Sequence, residues 1–260
     1  MTDASALERL LRRDRAVVVA ALTGVVLMSW LYLLFGSGMD MHNMDAMLAP
    51  AMTPHWSPSY FAVMLIMWVI MMAAMMLPSA SPMILLHATI SRRRREQGGT
   101  LAATGIFAFG YAVIWAIFGV IGTSLQWALA AEAQLSPTMA LTSMIAAASM
   151  LIAAGVYQWT PLKQSCLRRC RSPLDFVLAY WREGAWGPFA MGIRHGTFCL
   201  GCCWLLMLLL FVGGVMNLLW IAGLTVFVLV EKSAPWGHWL GQVAGMVLVV
   251  WGCVALTSLL

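Results

Sequence analysis

The 260-residue chain is 62% hydrophobic and 10% charged, with a mean hydropathy of +0.85, whereas a soluble domain is roughly 45–50% apolar and about 25% charged. This composition excludes an ordinary soluble domain and predicts an integral membrane protein. The net charge of +5 does not indicate a nucleic-acid partner, because the basic residues stand in short clusters between apolar runs, as topology signals do.

The apolar runs predict an all-α, polytopic transmembrane bundle of about seven helices, forming one integral membrane domain over residues 1–260. A run of about 20 apolar residues is long enough to cross the hydrocarbon core. In chain order the predicted spans are residues 16–35, 60–77, 101–130, 139–159, 194–213, 215–230 and 236–259. The second span is expected to kink or end at Pro78 and Pro82, because proline has no backbone N–H to donate.

The basic residues predict the orientation of the helices. With seven spans and a cytoplasmic N-terminus, all 15 Lys and Arg residues lie on the cytoplasmic side, in agreement with the positive-inside rule. Fusion of the fifth and sixth spans would place Lys232 outside, so we predict a turn at residues 213–217 and an external C-terminus. Residues 36–58 then form an outer loop, and residues 161–187 form a basic cytoplasmic loop.

The outer loop is rich in soft metal ligands, with five methionines, two histidines and two aspartates. Thioether sulfur favours Cu(I), while imidazole and carboxylate groups hold Cu(II). The alternative is an amphipathic cap lying on the bilayer, although the aspartates argue against a purely apolar role. We therefore predict copper binding here, with Met39, Met41, His42, Met44, Met47 and His55 as candidate ligands.

A second group of methionines lies within the second span. Met64, Met67, Met71 and Met75 share one arc of the helix, with Met72 and Met76 beside them. A row of thioethers could pass a monovalent soft ion through the membrane. The alternative reading is strong, because methionine is a common flexible core filler.

The cysteines form a third candidate site, predicted to lie on the cytoplasmic side, where thiols stay reduced. The candidate ligands are His195, Cys199, Cys202, Cys203, Cys166 and Cys170. The first four share one face of a helix. Four sulfurs would hold zinc or an iron-sulfur cluster, whereas two or three suffice for Cu(I). Cysteine is also a small apolar filler, and the spacing alone leaves open whether Cys166 and Cys170 fold back to join the others.

The sixth span ends at Glu231 and Lys232. Ionisable groups at membrane depth are candidates for function, but near a helix end we expect them to pair or to reach the interface. Glu231 is a candidate further ligand or proton acceptor. No phosphate-binding loop and no His-Glu-x-x-His motif are present, so the sequence shows no means of using ATP and no zincin-type metalloprotease site.

Several segments resemble a bacterial family of unknown function described as predicted metal-binding integral membrane proteins. The resemblance is carried by residues 68–78, 157–173, 194–204 and 214–217, and by Glu231 and Lys232. It covers about residues 60–232, and the two cysteine motifs are its specific part. The resemblance implies a multi-pass protein of the bacterial inner membrane with a metal site, and it supplies no substrate.

Our leading hypothesis is a membrane protein that handles copper by uptake, by transfer or by loading a membrane partner. The outer loop would capture the ion and the inner cluster would hold it. The first alternative is a thiol-disulfide oxidoreductase that uses Cys199 and Cys202 with Cys166 and Cys170. The second is an accessory structural subunit of a membrane complex or a homo-oligomer, for which the glycine stripe of the last span gives weak support.

Overall fold

A computed structural model of the protein describes residues 2–36, 56–96, 104–184 and 186–258. Over these ranges the chain forms ten α-helices, and the only β feature is an isolated bridge between Leu135 and Leu141. The all-α prediction is confirmed. The helices are α1 (Thr2–Leu31, continuing into a π-helical turn at Tyr32–Gly36), α2 (Pro58–Glu96), α3 (Thr104–Ala131), α4 (Met144–Tyr157), α5 (Pro161–Arg171), α6 (Pro173–Tyr180), α7 (Gly187–Leu208), α8 (Leu210–Gly213), α9 (Leu218–Ser233) and α10 (Gly237–Thr257).

Five helical segments in the described ranges are long and apolar enough to cross a membrane, and the number rises to six if α4 and α5, bent by 64° at their junction, count as one span. The five are α1, α2, α3, α7 continued by α8, and α10. Helix α9 has 16 residues, which is shorter than these segments. The pattern is that of a multi-pass membrane protein, while the number of seven spans and the sides of the termini remain predictions.

Helix α2 passes through both of its prolines and runs for 39 residues, although the second span was expected to kink or end there. Pro82 cannot donate a hydrogen bond to the carbonyl of Pro78. The hydroxyl of Ser81 donates to that carbonyl instead, over 2.8 Å. A neighbouring side chain thus satisfies a backbone group that the proline leaves free, as helices in lipid require.

The segment predicted as a basic cytoplasmic loop, residues 161–187, contains helices α5 and α6. Thr160 caps α5, since its side chain accepts from the backbone N–H of Lys163 over 3.3 Å, and Pro161 occupies the first turn, where its missing N–H does no harm. Helix α5 packs against α7. The predicted loop is therefore an ordered part of the bundle that carries Cys166 and Cys170.

Two helix pairs approach so closely that only glycine fits between them. A methyl group on Gly192 of α7 would overlap the carbonyl oxygen of Phe107 of α3, and one on Gly110 would lie 2.5 Å from the carbonyl oxygen of Phe189. The glycine stripe of α10 behaves likewise, because a methyl group on Gly245 would lie 2.8 Å from the carbonyl oxygen of Gly155 in α4. The stripe thus packs within the chain, in the way that small residues pack helices in lipid.

Helix α7 begins at Gly187, one to two turns before the predicted start of the fifth span at Arg194. His195 and the cysteines therefore lie in the interior of the helix rather than at its beginning. The predicted turn at residues 213–217 is present. Gly214 adopts a φ of +93°, and the side chain of Asn217 caps α9 by accepting from the N–H of Trp220 over 3.2 Å.

Candidate metal centre

The two cysteine segments meet where α5 packs on α7. The thiol of Cys170 lies beside the thiols of Cys199 and Cys202. One turn earlier on α5, Cys166 lies against α7 as well, since a methyl group on Gly201 would be 2.8 Å from its sulfur. The structure therefore brings both predicted segments together, with Cys170 in contact with the thiols of α7 and Cys166 beside the backbone at Gly201.

The thiols of α7 are held by their own helix. Cys202 and Cys203 both donate to the carbonyl oxygen of Cys199 over 3.0 Å, so the two thiols are held beside each other on the same helix. Cys199, Cys202 and Cys203 are 2%, 0% and 0% exposed. We call Cys170, Cys199, Cys202 and Cys203 the thiol cluster. Its four sulfurs come from two helices.

A buried lysine contacts the thiol cluster. Lys232, near the end of α9, donates from Nζ to the sulfur of Cys199 over 2.9 Å and to the sulfur of Cys203 over 3.9 Å. Its third partner is the hydroxyl of Ser79 on α2, at 3.4 Å. Since a buried charge is costly unless it is paired, this ammonium group makes the cluster a favourable position for negatively charged sulfur.

Two further side chains complete the surroundings of the cluster. The hydroxyl of Tyr111 lies 3.1 Å from the sulfur of Cys199 and donates to the carbonyl of Met76 over 3.1 Å. The thioether of Met76 lies 4.0 Å from the sulfur of Cys203. Helices α2, α3, α5, α7 and α9 thus all contribute a side chain to one small volume.

Thiol and thioether sulfurs favour a soft monovalent ion over an ion that needs a closed set of three or four hard or borderline ligands. Within residues 2–36, 56–96, 104–184 and 186–258, no three or more His, Cys, Asp or Glu side chains are arranged to hold one metal ion. Two thiols, or thiols with a thioether, form a smaller kind of site. Cu(I) is the ion that such soft sulfur ligands select.

Residues 65–255 match the family described as PpoB2, copper chaperone. The chain belongs to the PpoB2 copper chaperone family. No curated protein and no solved structure matches it. Membership agrees with the predicted handling of copper and with a metal ion as partner, whereas nothing found supports the zinc or iron-sulfur alternatives. The matched residues include the whole thiol cluster and Lys232.

In this copper chaperone family member, the predicted ligand His195 lies among aromatic rings. It is 3% exposed, and its ring centroid is 5.2 Å from that of Phe176, 5.7 Å from Tyr111 and 6.1 Å from Phe107. Its Nδ1 atom has no hydrogen-bond partner among the described residues. His195 lies four residues, about one turn, before Cys199 on α7. Its Nδ1 atom is therefore a candidate ligand atom near the thiols.

Glu231 and Lys232 are adjacent in the chain and both buried, and each contacts a different partner. The carboxylate of Glu231 forms an ion pair with Lys163 of α5 over 2.7 Å, with side chains 0% and 1% exposed respectively. Lys163 also donates to the amide oxygen of Gln158. The ion pair therefore joins α9 to α5, the helix of Cys170. Glu231 and Lys232 have separate partners inside the bundle, a pairing that the sequence did not predict.

The outer-loop candidates Met39, Met41, His42, Met44, Met47 and His55 lie outside the described residues. Three contacts of the thiol cluster were not predicted from the sequence, namely Lys232, Tyr111 and Met76. Lys232 was visible as a charge in an apolar run, which could have marked it as a partner of the thiols. Tyr111 and Met76 give no such signal, because both residue types are common in membrane helices.

Proposed function

We propose that this protein is a membrane copper chaperone that holds Cu(I) at the thiol cluster and loads it into a membrane partner, such as a copper enzyme. The observation that carries the proposal is the meeting of four thiols from α5 and α7 beside the ammonium group of Lys232. Thiolate and thioether sulfur select Cu(I). Burial of Cys199, Cys202 and Cys203 would protect the ion from water and from competing ligands.

Charge balance supports Cu(I) in particular. Two thiolates and one Cu(I) ion carry a net charge of −1, and the ammonium group of Lys232, 2.9 Å from Cys199, would neutralise it. A buried group of charges is tolerated when it is paired in this way. Cys199 and Cys203, the two thiols that Lys232 contacts, are the leading pair of ligands, with Cys170 and Cys202 as exchange partners.

His195, Cys166 and the outer loop take supporting roles in this proposal. The imidazole of His195 would accept the ion when it leaves the thiols, since its Nδ1 is unpartnered in the described structure. Cys166, beside Gly201 and one turn before Cys170 on α5, would receive it next. Met39, Met41, His42, Met44, Met47 and His55 would capture copper outside the bacterial inner membrane and supply it to the bundle.

The test is the copper content of the full chain purified from its own membrane without added metal. We expect the fourfold variant Cys170→Ser, Cys199→Ser, Cys202→Ser, Cys203→Ser to lose the bound copper, because the hydroxyl is a hard ligand. The control is Cys253→Ser, at an exposed position on α10, which should keep the wild-type content. Unchanged copper in the fourfold variant would overturn the proposal.

The contact of Cys170 with Cys199 and Cys202 is also what a thiol-disulfide oxidoreductase would need. That function requires a disulfide that is exposed to a partner's thiol. Cys199, Cys202 and Cys203 are at most 2% exposed, so Cys170, which is half-buried, is the one thiol of the cluster that a partner could attack. Trapping with single-cysteine variants in metal-free buffer separates the two functions. We expect no mixed disulfide, and a trapped partner protein would favour the oxidoreductase.

A further inference from the structure

The inward side of α2 is lined with methionine. Between residues 64 and 76 of this helix, six methionines are at most 7% exposed, and four of them are 0% exposed. They are Met64, Met67, Met71, Met72, Met75 and Met76. Residues three or four apart on a helix are about 5–6 Å apart at Cβ, so these methionines follow one another along the helix, and we call them the methionine row. From Met64 to Met76 the row is about 18 Å long at a rise of about 1.5 Å per residue.

One end of the row is a pair of thioethers around a buried amide. The side-chain nitrogen of Gln126 donates to the sulfur of Met139 over 2.9 Å and to the sulfur of Met64 over 3.6 Å. The indole N–H of Trp68 donates to the oxygen of the same amide over 2.7 Å. Two sulfurs, one from α2 and one from the segment between α3 and α4, thus converge within reach of one atom, although thioether sulfur is only a weak acceptor.

The other end of the row is the thiol cluster itself. The sulfur of Met76 lies 4.0 Å from that of Cys203, and the carbonyl of Met76 accepts from Tyr111, which also contacts Cys199. Sulfur atoms therefore continue from the Gln126 end of α2 to the thiols without leaving the interior of the bundle.

We propose that this methionine row is a transfer path for Cu(I), running from the Met64 and Met139 pair to the thiol cluster. The proposal rests on the proposed function, because the path ends at the copper site described there. Each step is a ligand exchange, in which a bond from the ion to the next sulfur forms while the bond to the previous sulfur breaks. No electron is transferred, and the thioethers remain neutral.

The direction of transfer follows from the ligands. A thioether is neutral, whereas a thiolate carries a negative charge that attracts Cu(I). The thiolate therefore binds Cu(I) more strongly, and the ion passes from the methionines toward the thiols. Methionine is otherwise explained as a flexible core filler, but leucine fills a core equally well at a cost below about 1.5 kcal/mol. Leucine has no sulfur, and substitution by leucine therefore separates a path from a packed core.

The first experiment measures how fast Cu(I) reaches the thiols. The double variant Met71→Leu, Met75→Leu is reconstituted in lipid vesicles that are sorted by an N-terminal tag into the two orientations. Cu(I) is offered from the Met64 side, and the thiolate-to-copper absorption band is followed in time. We expect loading about tenfold slower or more, with the final copper content unchanged.

The matched control is Met83→Leu, a methionine on the same helix that is 1% exposed and lies beyond the contact of Met76 with Cys203. It should load at the wild-type rate. Loading of the double variant at the wild-type rate would overturn the path and leave the copper site intact.

The second experiment tests the row without the thiols, with Ag(I) as the probe. In the fourfold Cys→Ser background of residues 170, 199, 202 and 203, we expect one weaker Ag(I) site that is lost on adding Met71→Leu and Met75→Leu. A background that binds no Ag(I) would overturn the path. Retention of wild-type copper in that background would instead overturn the thiol site.

Discussion

The amine nitrogen of Lys232 lies 2.9 Å from the sulfur of Cys199, inside the bundle. The two residues belong to different helices and are 33 positions apart in the chain. The positive charge of Lys232 and the sulfurs of the thiol cluster therefore belong to one site.

Loss of the Lys232 charge should weaken copper binding. In Lys232→Met, a Cu(I) ion with two thiolates would leave a buried charge of −1 without a partner. Removal of one member of a buried pair costs about 3–5 kcal/mol, so we expect Cu(I) affinity to fall by about a hundredfold or more. Competition with a Cu(I) chelator of known affinity measures this. Arg168→Met, at an exposed position of α5, should leave the affinity unchanged, and tight binding by Lys232→Met would contradict the charge-balance argument.

Removal of the Tyr111 hydroxyl should have a smaller effect. This group lies 3.1 Å from the sulfur of Cys199, and one hydrogen bond contributes about 0.5–1.5 kcal/mol. We therefore expect Tyr111→Phe to release Cu(I) several times faster while its stoichiometry stays the same. Stopped-flow transfer to a chelator gives the rate. Tyr60→Phe, near the start of α2, removes a hydroxyl far from the thiols, and it should release copper at the wild-type rate.

The ion pair between Lys163 and Glu231 should stabilise the bundle only as a pair. Each single variant, Lys163→Met or Glu231→Gln, leaves one buried charge or donor without its partner, which costs about 3–5 kcal/mol. The double variant should lose less than the sum of the two. Thermal unfolding in detergent completes the double-mutant cycle.

A surface ion pair provides the comparison. Arg94 and Glu183 are also 2.7 Å apart, but their side chains are 46% and 65% exposed. Arg94→Met should change stability by no more than about 1 kcal/mol. Additive effects at residues 163 and 231 would show that the buried pair is not coupled.

The contact of α3 with α7 should tolerate no side chain at Gly192. A methyl group there would overlap the carbonyl oxygen of Phe107, and overpacking costs about 1–3 kcal/mol. We expect Gly192→Ala to lower the unfolding temperature and to reduce copper retention, because α7 carries three of the four thiols. The comparison is Gly223→Ala on α9, where a methyl group has no atom within 4 Å. It should be neutral or stabilising, since alanine favours a helix over glycine by about 1 kcal/mol.

The sequence by itself determined that the chain is helical and apolar enough for a membrane, because apolar runs of about 20 residues can be read without knowing any contact between helices. It also placed Cys199, Cys202 and Cys203 on one face of a helix and the methionines of α2 on one arc, because helical periodicity fixes which neighbours share a face. The helical character of residues 161–171 was missed, because its polar composition resembles that of a loop.

The tertiary structure alone decided which faces meet. Met76 and Cys203 are 127 positions apart, and no local pattern relates them. They are brought together by helix contacts such as that of Gly110 and Gly192, where the absence of side chains lets α3 and α7 approach. A buried charge is costly unless it is paired, and the ammonium group of Lys232 is paired with the thiol of Cys199. Spacing along a helix is a local property, whereas contact between helices depends on the shapes of both surfaces.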